Sequence, residues 1–142
     1  MSISQITERA ITSLRPYARN ARTHSKKQVR QIAASIERFG FTNPVLISDE
    51  GEIIAGHGRV EAAKLLGWKA VPTIALSHLT EIERRAYVLA DNKLALNAGW
   101  DEVALSNLIR DLDAEDFELD VLGFMAQDLE RYLAGIDADT AA

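Results

Sequence analysis

No cysteine occurs in the 142 residues, which removes disulfides, thiolate metal sites and any cysteine nucleophile, and fits a reducing compartment. There is no run of about 18 apolar residues that could cross a bilayer. The first eight residues, with Ser, Gln, Thr and Glu among them, lack the apolar stretch of a secretory signal. A cytoplasmic protein is the expectation. Acidic residues are missing from one long stretch, since none lies between Arg9 and Ile36. Charge is therefore unevenly spread beneath a formal net charge of -5. Residues 1–36 carry seven cations against Glu8 alone, whereas residues 101–142 carry twelve acidic residues against Arg110 and Arg131. The basic third suits phosphates, although solvated helix faces explain it as well; the acidic third repels a nucleic-acid backbone and suits solvent or a basic partner.

What is present is one sizeable core, with 47% hydrophobic residues in a chain long enough for a single globular domain. Residues 5–11 read as a short strand, and Pro16 opens an irregular basic stretch to His24. Val29, Ile32, Ala33 and Ile36 recur at helical spacing between a Ser25/Gln28 capping pattern and the stop at Gly40, predicting a helix whose stripe faces a sheet. Strands at 44–47 and 52–55 flank the Asp49-Glu50-Gly51 turn and predict a hairpin. A helix over 59–66 and a strand over 70–76 follow, with Pro72 expected at an edge or strand start. Thr80 and Glu83 open a helix running to about Leu96 that should send Ile82, Ala86 and Leu89 to the core. Asp101 caps a further helix with Leu105, Leu108, Ile109 and Leu112 on one face, an acidic linker spans 113–120, and a last helix covers 125–133. The architecture expected is α+β, a small mixed sheet with packed helices followed by a helical C-terminal half. Residues 1–100 form the main domain, 101–135 a helical extension packed on it, and 136–142 a disordered tail.

The chemistry gathers at Gly56-His57-Gly58-Arg59. A strand that breaks through glycines into a helix N-terminus leaves unpaired N–H groups at the positive end of a helix dipole, which suits phosphate. Arg59 adds a two-pronged charged grip. Isolated glycines of this kind are often only turn residues, but a cation in the first helical turn opposes the dipole, and that points to an anionic partner. His57 fits a hydrogen-bonded loop residue, a phosphate contact or a proton carrier. Asn20 fits a turn and Arg22 a solvated cation as readily as phosphate contact, yet the density of cations near His24 favours the phosphate reading. Trp68 and Trp100 stand beside glycines at element ends, where aromatic packing of a loop is expected.

Residues 5 to 100 resemble the ParB/sulfiredoxin superfamily. The likeness is carried by Pro16 to His24, Phe39-Gly40 ahead of Asn43-Pro44-Val45, the Gly56–Arg59 loop with Ala62-Ala63 after it, and Val71-Pro72. Ala90-Asp91-Asn92-Lys93-Leu94-Ala95 with Gly99-Trp100-Asp101 resembles the branch found in front of DNA-modification methyltransferases in phage and bacterial proteins. The resemblance implies a site for a nucleoside triphosphate or diphosphate between the basic segment, the glycine loop and the later helix. Its residues would be Gly56, His57, Gly58, Arg59, Asn20, Arg22 and His24, with Asp91 and Asn92 holding magnesium beside a triphosphate. Relatives that hydrolyse CTP carry Gly-Glu-Arg-Arg at the loop, and here His57 and Gly58 replace the middle pair. Sulfiredoxins need a loop cysteine, which this chain lacks. Free-serine kinases depend on a carboxylate near the start of the first helix, where this chain has none.

A nucleotide- or phosphate-binding regulatory module linked to DNA modification or DNA segregation is therefore the leading expectation. A phosphotransferase or nucleotide hydrolase using the same pocket is the enzyme alternative, with His57 as the candidate catalytic residue. A DNA nuclease would need carboxylates converging on metal, and only Glu52, Glu61 and Asp91 are near the loop. A protein or DNA adaptor acting through the helical half is a further alternative. No helix-turn-helix module is evident in the acidic 101–142 stretch, so contact with DNA would come through a methyltransferase or other partner domain.

Overall fold

The computed structural model describes residues 5–17 and 24–136. The chain divides into two compact units, Met1–Leu96 and Asn97–Ala142. The first is α+β, built on four strands: β1 (Thr7–Ala10), β2 (Val45–Ile47), β3 (Ile53–Ala55) and β4 (Ala70–Ala75). Their order in the sheet is β1-β4-β2-β3. β4 runs antiparallel to β1 and parallel to β2, and β2 and β3 form the expected antiparallel hairpin. The turn chemistry between them is realised at Gly51, whose φ of 85° lies in the left-handed region that favours glycine. Ser48 N–H closes the turn on the Glu52 carbonyl at 2.9 Å.

One face of this sheet carries the core. Val45, Ile47, Ile53 and Val71 are buried with Ile11 and Leu14 against Val60 and Ala63; the last two belong to helix α2 (His57–Leu65). Each large aliphatic side chain so buried contributes about 1.5–3 kcal/mol. Pro72 does not lie on an edge strand, since β4 sits between β1 and β2. Its missing N–H is tolerated because the ladder to β2 begins one residue later, at Thr73 opposite Val45, so at Pro72 the strand pairs only with β1.

Helix α1 (Lys26–Phe39) begins at the predicted cap, with Gln28 N–H donating to Ser25 Oγ at 3.1 Å, a contact that contributes about 1 kcal/mol. It ends at Gly40, where φ is 87°. Its stripe does not face the sheet as expected. Ala33 and Ile36 pack on Ala62 of α2, with Val29, Ile32 and Leu66 around them. The adjacent alanines Ala62 and Ala63 divide α2 between two partners, one turned to α1 and one to the sheet, and α2 thereby takes the sheet face that α1 was expected to cover.

Helix α3 (Glu81–Asn97) carries a reciprocal capping box: Thr80 N–H donates to Glu83 Oε1 at 2.9 Å, and Glu83 N–H to Thr80 Oγ1 at 3.2 Å. Here the core expectation fails. Ile82 is 70% exposed and Leu89 62%, Ala86 is exposed, and Val88 is the buried residue of the helix. The helical period is real, but α2 has already filled the sheet face that such a stripe would cover.

The second unit is helical. Asp101 Oδ1 accepts Ala104 N–H at 3.1 Å at the start of α4 (Glu102–Ala114), and α5 (Ala126–Ala134) follows after a 3-10 turn at Leu119–Leu122. Leu105 and Ile109 pack on Tyr132, and buried Ser106 donates its hydroxyl proton to the Tyr132 carbonyl at 2.6 Å. Leu108, expected on the buried face, is exposed. The predicted tail lies, from residue 137 on, outside the described residues. Among the described residues, no helix is long and apolar enough to cross a membrane. Ile47→Ala is expected to cost about 2–5 kcal/mol in urea denaturation. Leu89→Ala should cost less than about 0.5 kcal/mol, and a larger loss would mean that the α3 stripe is packed after all.

Candidate functional site

The break between β3 and α2 is made by Gly56, which caps the helix with φ 107° and ψ 21°. A side chain there would be strained, and a Cβ would lie 2.9 Å from Arg59 Nη2. Arg59 thus folds back over the glycine, and its Nη2 donates to the Pro44 carbonyl at 3.1 Å. This fixes the guanidinium against the start of β2. Its Nε is buried and has no hydrogen-bond partner among the described residues, a cost of about 1–3 kcal/mol unless something else accepts from it. Burial lowers the Arg59 pKa while Asp91 pulls it the other way; a guanidinium remains charged regardless.

The first bond of the α2 ladder runs from Val60 N–H to the Gly56 carbonyl at 3.0 Å. The N–H groups of His57, Gly58 and Arg59 lie ahead of it. No acidic residue stands in the first turn of α2, so the positive end of this helix is not offset by its own side chains. Glu61, one turn in, is exposed and pairs with Lys64 at 3.1 Å.

Around this helix end is a cavity of about 450 Å³. Gly56, His57, Gly58, Arg59 and His24 line it together with Asp91 and Asn92 from α3, over apolar residues that include Ile32, Leu46 and Ile54. The sequence-predicted residues that the structure describes are therefore brought together at one place. Asn20 and Arg22 lie outside the described residues. Asp91 accepts a hydrogen bond from the Tyr87 hydroxyl, and Tyr87 is held above its ordinary value first by burial and then by this carboxylate. Asn92 Nδ2 donates to the Val88 carbonyl at 2.7 Å. Among the described residues no group of three or more His, Asp or Glu converges as a metal set. A magnesium ion would fit beside Asp91 and Asn92 only with oxygens supplied by a bound phosphate, the usual arrangement for that ion.

Three contacts were not legible beforehand. Asn43 and Pro44 line the cavity, although in the sequence they marked only a resemblance. His57 Nε2 accepts the Tyr17 backbone N–H at 3.1 Å, a contact across 40 residues without a sequence signal. Gln28, read as half of a capping box, turns its side chain instead to His24, with Oε1 2.9 Å from Nδ1. The i, i+4 spacing of His24 and Gln28 was the available clue.

The Tyr17 contact decides what His57 can do. With Nε2 accepting, the neutral ring carries its proton on Nδ1, so the side chain has a donor to offer and no second lone pair. Burial, and then the neighbouring His24, lower the His57 pKa, with Glu61 acting in the opposite sense. The catalytic role foreseen for His57 as a proton acceptor does not suit this arrangement.

Residues 1–93 match the model of the ParB N-terminal domain. The ParB-like nuclease domain-containing protein YnaK of Escherichia coli (strain K12) is 56% identical over 81 residues, which is 57% of this chain and 93% of that protein. The nucleoid occlusion protein of Bacillus thuringiensis (strain Al Hakam) is 31% identical over 112 residues, 74% of this chain but 38% of that protein. Among solved structures, the C-terminally truncated chromosome-partitioning protein ParB from Caulobacter crescentus complexed with CTP-gamma-S superposes with a TM-score of 0.74 at 19% identity, over 91% of this chain and 77% of that one. The same protein complexed to the centromeric parS site gives 0.51 at 17% identity, over 94% and 74%. At such identities the likeness is one of fold.

His57 gives the site a pH signature. Its folded pKa is lowered, so the neutral ring is favoured by folding. The stability it contributes is complete above the unfolded value of about 6.5 and is lost as pH falls through the folded value. Thermal unfolding followed from about pH 7 to about pH 5 should show a steeper loss for the native chain than for His57→Gln, and equal slopes would contradict this.

Proposed function

This chain belongs to the family of ParB N-terminal domains, and from that membership together with the cavity we propose that it is a nucleotide-binding regulatory module. The ligand is a nucleoside triphosphate or diphosphate, its phosphates on the N–H groups of His57, Gly58 and Arg59 and on the Arg59 guanidinium. His57 donates from Nδ1. The base or sugar lies over the apolar floor of Ile32, Leu46 and Ile54. Asp91 and Asn92 share a magnesium ion with the phosphates when a triphosphate is bound.

One observation carries the reading. A helix N-terminus without an acidic residue in its first turn coincides with a half-buried arginine whose buried Nε has no partner among the described residues. Asp91 favours the charged guanidinium, but no described residue accepts from Nε, and an anion accepting from Nε and from the helix end offsets that cost. That a ParB of the same fold is complexed with CTP-gamma-S favours a triphosphate, and CTP among the candidates.

Binding rather than turnover is the better reading, because the loop lacks a free proton acceptor at His57 and a general base must reach the proton it takes. The nuclease alternative has no carboxylate set among the described residues. The link to DNA modification or segregation rests on the relatives and on the Ala90–Ala95 and Gly99–Asp101 stretches. It assigns DNA contact to a partner domain, since the second unit is acidic.

Calorimetric titration with CTP, ATP and ADP in the presence of magnesium should give saturable binding for at least one of them. Arg59→Ala should weaken it about tenfold or more, as expected for a charge-assisted contact. Absence of heat with all three, or an unchanged affinity in the variant, would contradict the proposal.

A further inference from the structure

The cavity donates from several groups at once: the backbone N–H groups of α2, the Arg59 guanidinium and His57, whose one remaining ring proton is on Nδ1. Donors alone do not distinguish one tetrahedral oxyanion from another, and Asp91, the carboxylate that also lines the cavity, is engaged by the Tyr87 hydroxyl. His24 is different. Its Nδ1 faces Gln28 Oε1 at 2.9 Å, and a carboxamide oxygen cannot donate, so in the neutral ring the proton is on Nδ1 and the lone pair is on Nε2. The ring is also held close over the first turn of α2. A Cβ on Gly58 would lie 3.0 Å from both His24 Nδ1 and Cε1 and 2.9 Å from Ile32 Cδ1. Gly58 is thus the residue that lets this imidazole approach the phosphate-facing end of the helix.

We infer that His24 supplies a hydrogen-bond acceptor that makes the cavity select a ligand carrying a hydroxyl beside its phosphate oxygens over a bare oxyanion. The inference rests on the reading of the cavity as a phosphate site. The hydroxyl is either that of a protonated phosphoryl group or that of the sugar, since both present O–H to Nε2. Gln28 is a positioning residue that fixes which nitrogen has the lone pair. The two histidines therefore divide the work: Tyr17 makes His57 a donor, and Gln28 makes His24 an acceptor. A ligand lacking the hydroxyl leaves an acceptor unpaired in the cavity, and built acceptors discriminate strongly against such analogues.

The test uses the full chain at neutral pH and constant ionic strength, with inorganic phosphate and sulfate as probes. Phosphate, which keeps a P–OH, should bind about tenfold tighter than sulfate, which has none. In His24→Phe, which keeps a ring over Gly58, the two should bind alike. CTP against 2′,3′-dideoxy-CTP, each with magnesium, then separates the sources. A loss of about tenfold on removing the sugar hydroxyls, absent in His24→Phe, supports the sugar, and equal affinities with the phosphate preference intact support the phosphoryl hydroxyl. Nitrogen-15 spectra give a second readout independent of affinity: His24 should be protonated at Nδ1 in the native chain and a tautomer mixture in Gln28→Leu. Equal native binding of phosphate and sulfate together with equal binding of the two nucleotides, a preference that survives His24→Phe, or a native His24 protonated at Nε2 would overturn the inference while leaving the nucleotide reading intact. Binding of neither anion and of no nucleotide would overturn that reading and the inference with it.

Discussion

The left-handed backbone at Gly56 is the constraint on which the site depends. It turns the chain from β3 into α2 without a connecting loop, so the first three N–H groups of the helix emerge beside the sheet edge. It also leaves the space into which Arg59 folds to reach the Pro44 carbonyl. Any other residue would meet both a strained φ and the guanidinium. One glycine therefore sets the helix end, the position of the charge and the join between α2 and the start of β2. The core supports this from beneath, because Val60 and Ala63 of the same helix are buried against the central strands. The site consequently rests on the buried core of the first unit.

Around that fixed end the polar groups are oriented by partners that are themselves backbone or neutral side chains. Tyr17 N–H assigns the His57 proton to Nδ1, Gln28 assigns the His24 proton to Nδ1, and the Tyr87 hydroxyl engages Asp91. Of the two imidazoles only His24 keeps its Nε2 lone pair, and the loop histidine itself supplies no base. The resemblance sets this position against a glutamate in loops that hydrolyse CTP and a cysteine in sulfiredoxins, whereas here it is an imidazole with its acceptor nitrogen already used. The loop grips an anion without a base of its own, which is the physical basis for reading the domain as a binding module.

Much of this was legible in the sequence because it depends on local chemistry. The caps at Ser25, Thr80 and Asp101, the turn at Gly51 and the stop at Gly40 are each set by one or two residues, and the pairing of Gly56 and Arg59 marked the loop around which the cavity lies. What was not legible depends on competition between elements. The stripe of α1 gave no sign that α2 would intervene between it and the sheet, and the stripe of α3 gave none that Ile82 and Leu89 would remain in solvent. Pro72 suggested an edge because the offset between two ladders cannot be read from one strand. The tautomers of His24 and His57 were hidden for the same reason, since each is set by a partner whose role could be assigned differently: a backbone N–H distant in sequence for His57, and for His24 a glutamine that looked like a cap.

The central claim is that the N-terminus of α2 with Arg59 is where a phosphate group is held. Amide chemical-shift mapping during titration with CTP and magnesium tests it most directly. The account predicts that the His57, Gly58 and Arg59 amides shift most, together with the Arg59 Nε–H resonance, and that the amides of Asn97–Ile136 stay in place. Shifts concentrated in that second unit, with the α2 amides unmoved, would contradict it.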